Sequence, residues 1–359
     1  MTAVLVVGGG PAGAAAAILL ARGGARVTLV EREAAAREKV CGEFLGPDAA
    51  ALLGALGLSL PALGALPIGT ARLAAGEQEA SWRLPFGAWS LPRAVLDEVL
   101  LTLAAEAGAR LLRGAAVATA RREGAEWHVR LSGGEVLRGD VLVLATGKHE
   151  LRGHARPKAG GAVGLKLPLR LAAPLPDAVM LLPFPGGYAG LQPRPDGGAN
   201  LCAALRAVEA TDSRALLARV AAGSARGAAL LRGAAPLLPR PMAVAGVPYG
   251  FRHRDGKAPD PGLYRVGDQF AVVPSLAGDG VAMALAGGEE AARAILAGRP
   301  APACHAALDR RLDRPMRWAG LLARGLDRAP AALALAARLS PALARLAAAQ
   351  TRMPGFSAA

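Results

Sequence analysis

The sequence predicts an α/β protein built around a parallel sheet, and three observations support that fold class. Residues 4–31 contain a strand, a helix and a second strand in that order. Residues 264–296 repeat the strand, turn and helix pattern far downstream. Hydrophobic residues make up 53% of the 359-residue chain and charged residues 19%, which is typical of a globular protein with a large core. A chain of this length exceeds one compact core, so two intertwined domains are expected.

The N-terminal unit begins with the apolar run at residues 4–7, which has the composition of a buried parallel strand. Residues 14–21 are rich in alanine and leucine and predict the following helix. Residues 27–31 form a second apolar run that closes a βαβ unit.

Three glycines in this turn fit the pattern G-x-G-x-x-G, with Pro11 and Ala12 inside it. Gly8 permits the tight turn, Gly10 lets backbone N–H groups approach a pyrophosphate, and Gly13 lets the helix and strand pack closely. The helix N-terminus adds partial positive charge at the same place. The pattern stands between a predicted strand and a predicted helix, so it predicts a dinucleotide site.

An acidic residue, Glu31, ends the second strand, where it can accept hydrogen bonds from the adenosine ribose. An acid here favours a free 2′-hydroxyl over a 2′-phosphate, which selects FAD or NAD over NADP. Arg32 follows directly and is assigned to the same site.

The downstream unit predicts a second ligand contact. Residues 264–266 form a short strand, Gly267 and Asp268 turn off its end, and residues 280–296 form a helix whose N-terminus faces the ligand. The alternative is an ordinary strand, loop and helix in which Asp268 only caps the turn.

Two blocks of sequence resemble the FAD-dependent oxidoreductases of the para-hydroxybenzoate hydroxylase fold. The first is residues 32–45, with the segment Lys-Val-Cys-Gly-Glu-Phe, and the second is residues 262–281, with Gly-Asp and Pro-Ser-Leu-Ala-Gly-Asp-Gly-Val. Geranylgeranyl reductase-like proteins and flavoproteins associated with type III polyketides carry a similar first segment. The resemblance implies FAD as the cofactor, a Rossmann-like FAD-binding domain of the GR2 type, an inserted β-sheet substrate domain and C-terminal helices.

The domain bounds expected from this resemblance are discontinuous. Residues 1–70, 91–163 and 250–302 form the FAD-binding domain, residues 71–90 and 164–249 the substrate sheet, and residues 303–359 a helical segment. In the helical segment, nine Arg and three Asp surround apolar stretches, and Pro315, Pro330 and Pro341 are predicted to separate two or three amphipathic helices. Packing onto the FAD domain is the expected role, and peripheral membrane contact is the alternative.

The same resemblance implies specific cofactor contacts. Asp268 bonds the ribityl chain or a nearby ribose, and Arg93, at the start of a predicted helix, reaches the pyrophosphate unless it is only a surface arginine. Backbone amides that face the flavin pyrimidine edge, and further cofactor residues, are assigned to Gly278, Asp279, Gly280, Val281, Val117, Thr146 and Gly147.

Candidates for the substrate pocket come from two segments. Cys41, Glu43 and Phe44 approach the flavin from one side by resemblance, and Cys41 is interpreted as a small buried residue rather than a nucleophile. Tyr188 and Gln192 lie in the predicted substrate sheet and are the polar groups of an apolar pocket, although Tyr188 could instead only pack in a strand. No catalytic residue is assigned.

Two further elements are predicted between the FAD blocks. A strand starts in the segment from Arg110 to Val117, and residues 127–131 and 136–140 predict an antiparallel hairpin around residues 132–134.

The sequence departs from the best-known hydroxylases after the predicted buried strand at residues 141–144. Their turn reads Ala-Asp-Gly, whereas here it reads Ala-Thr-Gly, followed by Arg152. The missing aspartate prevents transfer of their mechanism for handling NAD(P)H. Because no second G-x-G-x-x-G unit is present, NADPH or NADH is expected to bind only transiently as electron donor.

Composition excludes several other classes. The net charge is +14, but the basic residues are scattered arginines and aromatics are 4%, so nucleic-acid binding is not expected. Three distant cysteines and histidines without ligand spacing predict no metal site and a reducing compartment. With no signal peptide and no uninterrupted apolar run of membrane-spanning length, the expected location is the cytoplasm. The oligomeric state is not predicted.

Three functions follow from these patterns. The preferred one is an FAD-dependent monooxygenase that hydroxylates a small hydrophobic or aromatic molecule, such as a polyketide phenol, in secondary metabolism. The second is a reductase that passes a hydride to an alkene in a lipophilic substrate. The third is a non-catalytic carrier of flavin or lipid. A halogenase is disfavoured because no Trp-x-Trp-x-Ile-Pro element is present, and residues 82–85 are a poor substitute.

Overall fold

A computed structural model describes residues 1–156, 161–175, 177–206 and 212–354. The last five residues of the predicted helical segment therefore lie outside the described residues, as do residues 157–160 of the second predicted piece of the FAD-binding domain. The strands are β1 (Ala3–Val7), β2 (Arg26–Glu31), β3 (Phe44–Leu45), β4 (Leu66–Ala75), β5 (Gln78–Ser90), β6 (Arg110–Arg113), β7 (Val117–Glu123), β8 (Glu126–Leu131), β9 (Val136–Gly139), β10 (Val141–Leu144), β11 (Val163–Arg170), β12 (Ala178–Phe184), β13 (Gly187–Pro193), β14 (Ala199–Leu205), β15 (Ala235–Pro236), β16 (Met242–Val244) and β17 (Leu263–Arg265).

The helices are α1 (Pro11–Arg22), α2 (Pro47–Ala55), α3 (Arg93–Glu106), α4 (Ser213–Ala221), α5 (Ala225–Leu231), α6 (Gly280–Leu296), α7 (Ala301–Arg328), α8 (Pro330–Leu339) and α9 (Pro341–Gln350). Two short 3-10 helices, Gly267–Gln269 and Ser275–Ala277, precede α6. The α/β class predicted from the sequence is confirmed.

The first sheet has five strands in the order β17-β10-β1-β2-β6, and all its pairings are parallel. Every residue of β1 is buried, as a central parallel strand requires. Helices α1 and α6 pack together against this sheet, and a Cβ at Gly288 would lie 2.2 Å from the carbonyl oxygen of Ala12. The small residues of both helices therefore allow a close approach, which brings the two helix N-termini to one edge of the sheet.

The second sheet has nine strands. Eight of them follow the order β15-β11-β14-β13-β12-β4-β5-β3, and β16 also pairs with β11. It begins at Leu66, a few residues before the predicted start of the substrate sheet, and it also includes β3. Leu167, Leu182 and Leu201 fill its core on the face covered by α4 and α5. The inserted β-sheet expected from the sequence is present.

A third sheet contains β7, β8 and β9 and includes the predicted hairpin around residues 132–134. The strand predicted to run from Arg110 toward Val117 ends at Arg113, because Gly114 takes a positive φ of 69° and turns the chain away from the parallel sheet. Val117 then begins β7.

The C-terminal helices differ from the prediction at one proline. Pro315 lies inside α7, which continues through it, whereas Pro330 and Pro341 each begin a new helix as predicted. The buried side of α7, with Leu312 and Met316 on either side of the proline, offsets the lost hydrogen bond. Helices α8 and α9 pack on β5, and α8 also packs on β4.

No single helix among the described residues has the length and hydropathy needed to cross a membrane. Helices α8 and α9 reach that hydropathy only as a pair, and the pair is bent by 112°.

Candidate functional site

A cavity of about 980 Å³ starts at the carboxyl edge of the parallel sheet and continues between the nine-stranded sheet and α7 to α9. Open α/β sheets bind ligands at this edge. The cavity therefore has two parts. We call the part beside the glycine turn the nucleotide cleft and the part between the large sheet and the C-terminal helices the apolar chamber.

The glycine turn forms the floor of the nucleotide cleft. Gly8 has a φ of 107°, and a Cβ there would lie 2.3 Å from the carbonyl oxygen of Ala145. A Cβ at Gly13 would lie 1.9 Å from the carbonyl oxygen of Gly8, so both positions exclude larger residues through protein packing. At Gly10 the nearest atom to an added Cβ is a terminal nitrogen of Arg93, 3.7 Å away. Of these three glycines, Gly10 alone has open space for a ligand beside it.

Glu31 is buried, and its carboxylate is fixed by two backbone groups. Oε2 accepts a hydrogen bond from Gly9 N at 2.7 Å, and Oε1 accepts one from Glu33 N at 3.1 Å. Each carboxylate oxygen has a second lone pair, so the group can still accept bonds from two ribose hydroxyls. The geometry fits the predicted role.

Arg93 lies against the glycine turn from the opposite side. Its guanidinium donates to both oxygens of buried Asp97, at 2.8 and 2.9 Å, and its backbone N–H donates to Glu43 at 2.9 Å. Burial alone would lower the pKa of Arg93, but Asp97 outweighs it and the pKa is raised. Asp97 therefore fixes a permanent positive charge where a pyrophosphate would lie.

Asp268 lies at the other end of the nucleotide cleft and pairs with Lys148 at 3.2 Å. Asp268 raises the pKa of Lys148 above its usual value. Gln269 donates to the carbonyl oxygens of Gly147 and His149, at 2.9 and 3.0 Å, and so ties the turn after β10 to the turn after β17. The sequence did not indicate Lys148, which lies two residues beyond the predicted Thr146.

The loop before α6 brings backbone groups to the cleft, but the side chain of Asp279 turns away from it. Asp279 is buried and forms an ion pair with Arg352 from the C-terminal segment. Arg352 also donates to the carbonyl oxygen of Ala277, and its guanidinium lies 5.0 Å from the ring centroid of Phe86. Burial raises the pKa of Asp279 well above its usual range, and Arg352 opposes this shift. The C-terminal segment therefore holds the loop in place.

A buried charge network holds the segment that carries Cys41. Lys166 on β11 has no exposed side-chain surface and contacts Glu38 and Glu43, at 2.5 Å for Glu43. Arg194 lies 2.9 Å from Glu38 and 3.5 Å from Glu43. Burial raises the pKa of Glu43, whereas the two cations outweigh burial at Glu38 and lower its pKa. None of these ion pairs was predicted from the sequence. The one signal was Lys166 itself, because a lysine within the apolar sequence of β11 indicates a buried cation that needs an acidic partner.

Tyr188 stands between the nucleotide cleft and the apolar chamber. Its hydroxyl accepts a hydrogen bond from Leu276 N at 3.2 Å and shares a second hydrogen bond with Ser275 Oγ at 2.8 Å. Burial raises the pKa of Tyr188. Gln192 donates to Ser90 at 2.9 Å. Both side chains form hydrogen bonds with neighbouring protein groups, and these bonds hold the wall of the apolar chamber in position.

The cavity brings together most of the predicted site residues, and the contact of each with FAD stays a prediction. The cofactor residues that line it are Gly8, Gly10, Pro11, Ala12, Glu31, Arg32, Arg93, Val117, Thr146, Gly147, Asp268, Gly278, Gly280 and Val281, and the pocket candidates are Cys41, Glu43, Phe44, Tyr188 and Gln192. Gly13 acts through packing, and Asp279 faces Arg352, so neither lines the cavity.

A cluster remote from this cavity contains His253, Asp255 and His305. His305 Nε2 accepts a hydrogen bond from Arg265 N at 3.0 Å, so its other ring nitrogen carries the proton and donates to Asp255 at 3.0 Å. A metal on that nitrogen would require a proton on Nε2, which would then face the N–H of Arg265. The arrangement is therefore a hydrogen-bonded triad that joins α7 to the segment between β16 and β17.

Comparison with known proteins supports the nucleotide cleft as an FAD site. Residues 1–149 match the family model described as an FAD binding domain. Among solved structures, the flavin-dependent brominase Bmp2 superposes with a TM-score of 0.78 at 18% identity, covering 99% of this chain and 96% of that chain. A geranylgeranyl bacteriochlorophyll reductase-like protein from Thermoplasma acidophilum superposes with a TM-score of 0.75 at 19% identity, covering 99% and 97%.

One curated relative matches over a short stretch. The 6-methylpretetramide 4-monooxygenase of Streptomyces rimosus is 56% identical over 57 residues, which are 16% of this chain and 14% of that enzyme. The expected fold and the FAD cofactor are confirmed by these matches. The chain is a flavoprotein with the fold of the FAD-dependent oxidoreductases, and its residues 1–149 match the FAD binding domain family.

Proposed function

We propose that the chain is a monooxygenase that hydroxylates a lipophilic aromatic or polyketide-type molecule, with NADH or NADPH as a transient electron donor. The observation that carries the proposal is the continuity of the nucleotide cleft with the apolar chamber in one cavity of about 980 Å³. A substrate in the chamber would lie beside the cofactor without crossing solvent. The short match to a polyketide monooxygenase supports the same reaction class.

The residues of the nucleotide cleft fit FAD. Gly10 leaves room for the pyrophosphate, Arg93 supplies a fixed charge beside it, and Glu31 presents free lone pairs for the ribose. Lys148 and Asp268 line the same cleft as an ion pair and would contact the ribityl chain. When bound and reduced, FAD supplies the electrons that activate O2 for hydroxylation.

The apolar chamber can exclude water from the reacting centre. Leu73, Trp82 and Leu181 line its sheet side, and Trp318 and Leu322 line its helix side. Arg352 is the one charged side chain on these two walls among the described residues, and Asp279 neutralises it. Hydroxylation by a reduced flavin requires protection from bulk water, which these walls provide.

Alkene reduction is the second candidate, because Cys41 lines the cavity and its thiol could supply the proton that follows hydride transfer. Tyr188 is a poorer proton donor for this role, because burial raises its pKa and its hydroxyl already bonds Ser275 and Leu276. The likeness to a reductase-like structure concerns the fold and does not favour either reaction.

Labelled dioxygen separates the candidates. We expect the FAD-loaded protein, given NADPH or NADH and a polycyclic phenol under 18O2, to form a product that carries one labelled oxygen atom, measured by mass spectrometry. The Gly10→Val variant is the control and should give no product. Anaerobic reduction of a prenyl alkene, without oxygen incorporation under air, would reject hydroxylation. Failure of both donors to reduce the bound flavin would instead support a carrier.

The Arg352 contact leads to a separate prediction about cofactor retention. Arg352→Met removes the cation that faces buried Asp279, so the loop before α6 should lose its position. We expect the FAD dissociation constant, measured by flavin fluorescence, to rise about tenfold, equivalent to about 1.4 kcal/mol. Arg352→Lys should recover part of this loss, and the exposed control Arg232→Met should bind FAD normally. Unchanged affinity in Arg352→Met would show that the C-terminal segment does not support the cofactor.

A further inference from the structure

Exposed leucines are concentrated on the C-terminal helices. Among the described residues, five of the ten large exposed hydrophobic side chains lie between positions 321 and 346. Leu335 and Leu339 on α8 are 37% and 74% exposed, and Leu343 and Leu346 on α9 are 61% and 51% exposed. We call these four residues the leucine patch. Leu335 and Leu339 are four positions apart and Leu343 and Leu346 three apart, so each pair shares one face of its helix. Exposed apolar surface of this kind marks an interaction site.

The leucine patch lies at the mouth of the apolar chamber. Leu343 and Leu346 are exposed and also line the cavity, so the cavity reaches the surface beside them. Leu333 and Ala337 on α8 line the cavity from the inner side of the same helices. A molecule bound at the patch would therefore have direct access to the chamber.

The charged side chains of α8 and α9 are positive, since Arg338 and Arg345 are exposed there and neither helix contains an acidic residue. At the end of α7, Arg324 and Arg328 are exposed beside Asp327, which forms an ion pair with Arg206. From residue 328 to the last residue the sequence contains no Asp or Glu. An apolar surface flanked by arginines is complementary to a surface that is apolar inside and anionic at its boundary.

We propose that the leucine patch docks on an anionic phospholipid bilayer and admits a lipophilic substrate from it to the apolar chamber. Helices α8 and α9 have ten residues each and meet at Ser340 with a bend of 112°, so they lie along the interface rather than cross it. The arginines contact lipid headgroups while the leucines enter the acyl boundary. Docking is independent of the reaction, whereas substrate entry rests on the proposed function.

Vesicle sedimentation tests the docking directly. The FAD-loaded protein is mixed with vesicles of equal parts phosphatidylglycerol and phosphatidylcholine, or of phosphatidylcholine alone, without any electron donor. We expect binding to the anionic vesicles that weakens with salt, and little binding to the neutral ones. Leu339→Glu with Leu343→Glu should lower the binding constant at least tenfold. Arg338→Gln with Arg345→Gln should lower it about 10- to 30-fold and reduce its salt dependence.

The control is Leu237→Glu, since Leu237 is 48% exposed but lies outside these helices. This variant should bind like the unmodified protein, and circular dichroism should show that every variant is folded. Absence of binding to anionic vesicles at low salt would overturn the proposal. A change from dimer to monomer in the leucine double variant would also overturn it, because a second copy of the chain would then cover the patch. Vesicle binding by a protein without hydroxylase activity would support docking and reject only the proposed function.

Discussion

Replacement of Gly10 by valine should abolish FAD retention while leaving the fold intact. Gly10 has a φ of −73°, which valine can adopt, and the space around its missing Cβ belongs to the cleft rather than to the protein. A branched side chain would occupy the place where the backbone meets the pyrophosphate. We expect the purified variant to retain less than roughly a tenth of the normal FAD, measured by absorbance after denaturation, since loss of this approach removes a main cofactor contact.

Two further glycine variants distinguish loss of the cofactor from loss of the fold. Gly54→Val is the matched control, because a Cβ at Gly54 meets no atom within 4 Å and the residue lies outside the cavity. Gly13→Val should instead fail to fold normally, since its side chain would collide with the carbonyl oxygen of Gly8. Normal FAD content in Gly10→Val, with a native circular dichroism spectrum, would contradict the assignment of the nucleotide cleft.

The sequence carried enough information for the nucleotide cleft because its determinants are local. The glycines, the strand before them, the helix after them and Glu31 lie within 31 consecutive residues, so one short stretch of sequence contains the whole pattern. The helix over residues 280–296 and the hairpin around residues 132–134 were predicted for the same reason. Local propensity and hydrophobic periodicity are sufficient for such elements.

The remaining contacts of the site depend on residues that are distant in the chain. Lys166 and Glu43 are separated by 123 positions, and Arg352 and Ala277 by 75. Periodicity does not report such pairs, because it describes which face of an element is apolar and not what that face meets. Pro315 was misjudged for a related reason: tertiary packing along α7 overcame its local preference to end a helix.

Replacement of Lys166 by methionine should cause a large loss of stability in a protein that still folds. Methionine has a similar length and fits the apolar strand, but it leaves Glu38 and Glu43 with Arg194 as their remaining cation. Breaking a buried ion pair by removing one partner costs about 3–5 kcal/mol. We expect the free energy of unfolding, measured with urea on the FAD-loaded protein, to fall by this amount. The exposed control Lys257→Met should change it by less than about 0.5 kcal/mol.

Two features distinguish this ion-pair effect from a loss of packing. Adding Glu43→Gln to Lys166→Met should recover much of the stability, because it removes the uncompensated carboxylate. The deficit of Lys166→Met should also depend on pH. Burial already raises the pKa of Glu43, and loss of Lys166 would raise it further above its value in the unfolded chain. An acid whose pKa is raised by folding loses stability as pH rises from its unfolded pKa toward its folded pKa. The deficit should therefore be smaller at pH 5 than at pH 8, whereas an equal deficit at both would indicate that Lys166 acts through packing alone.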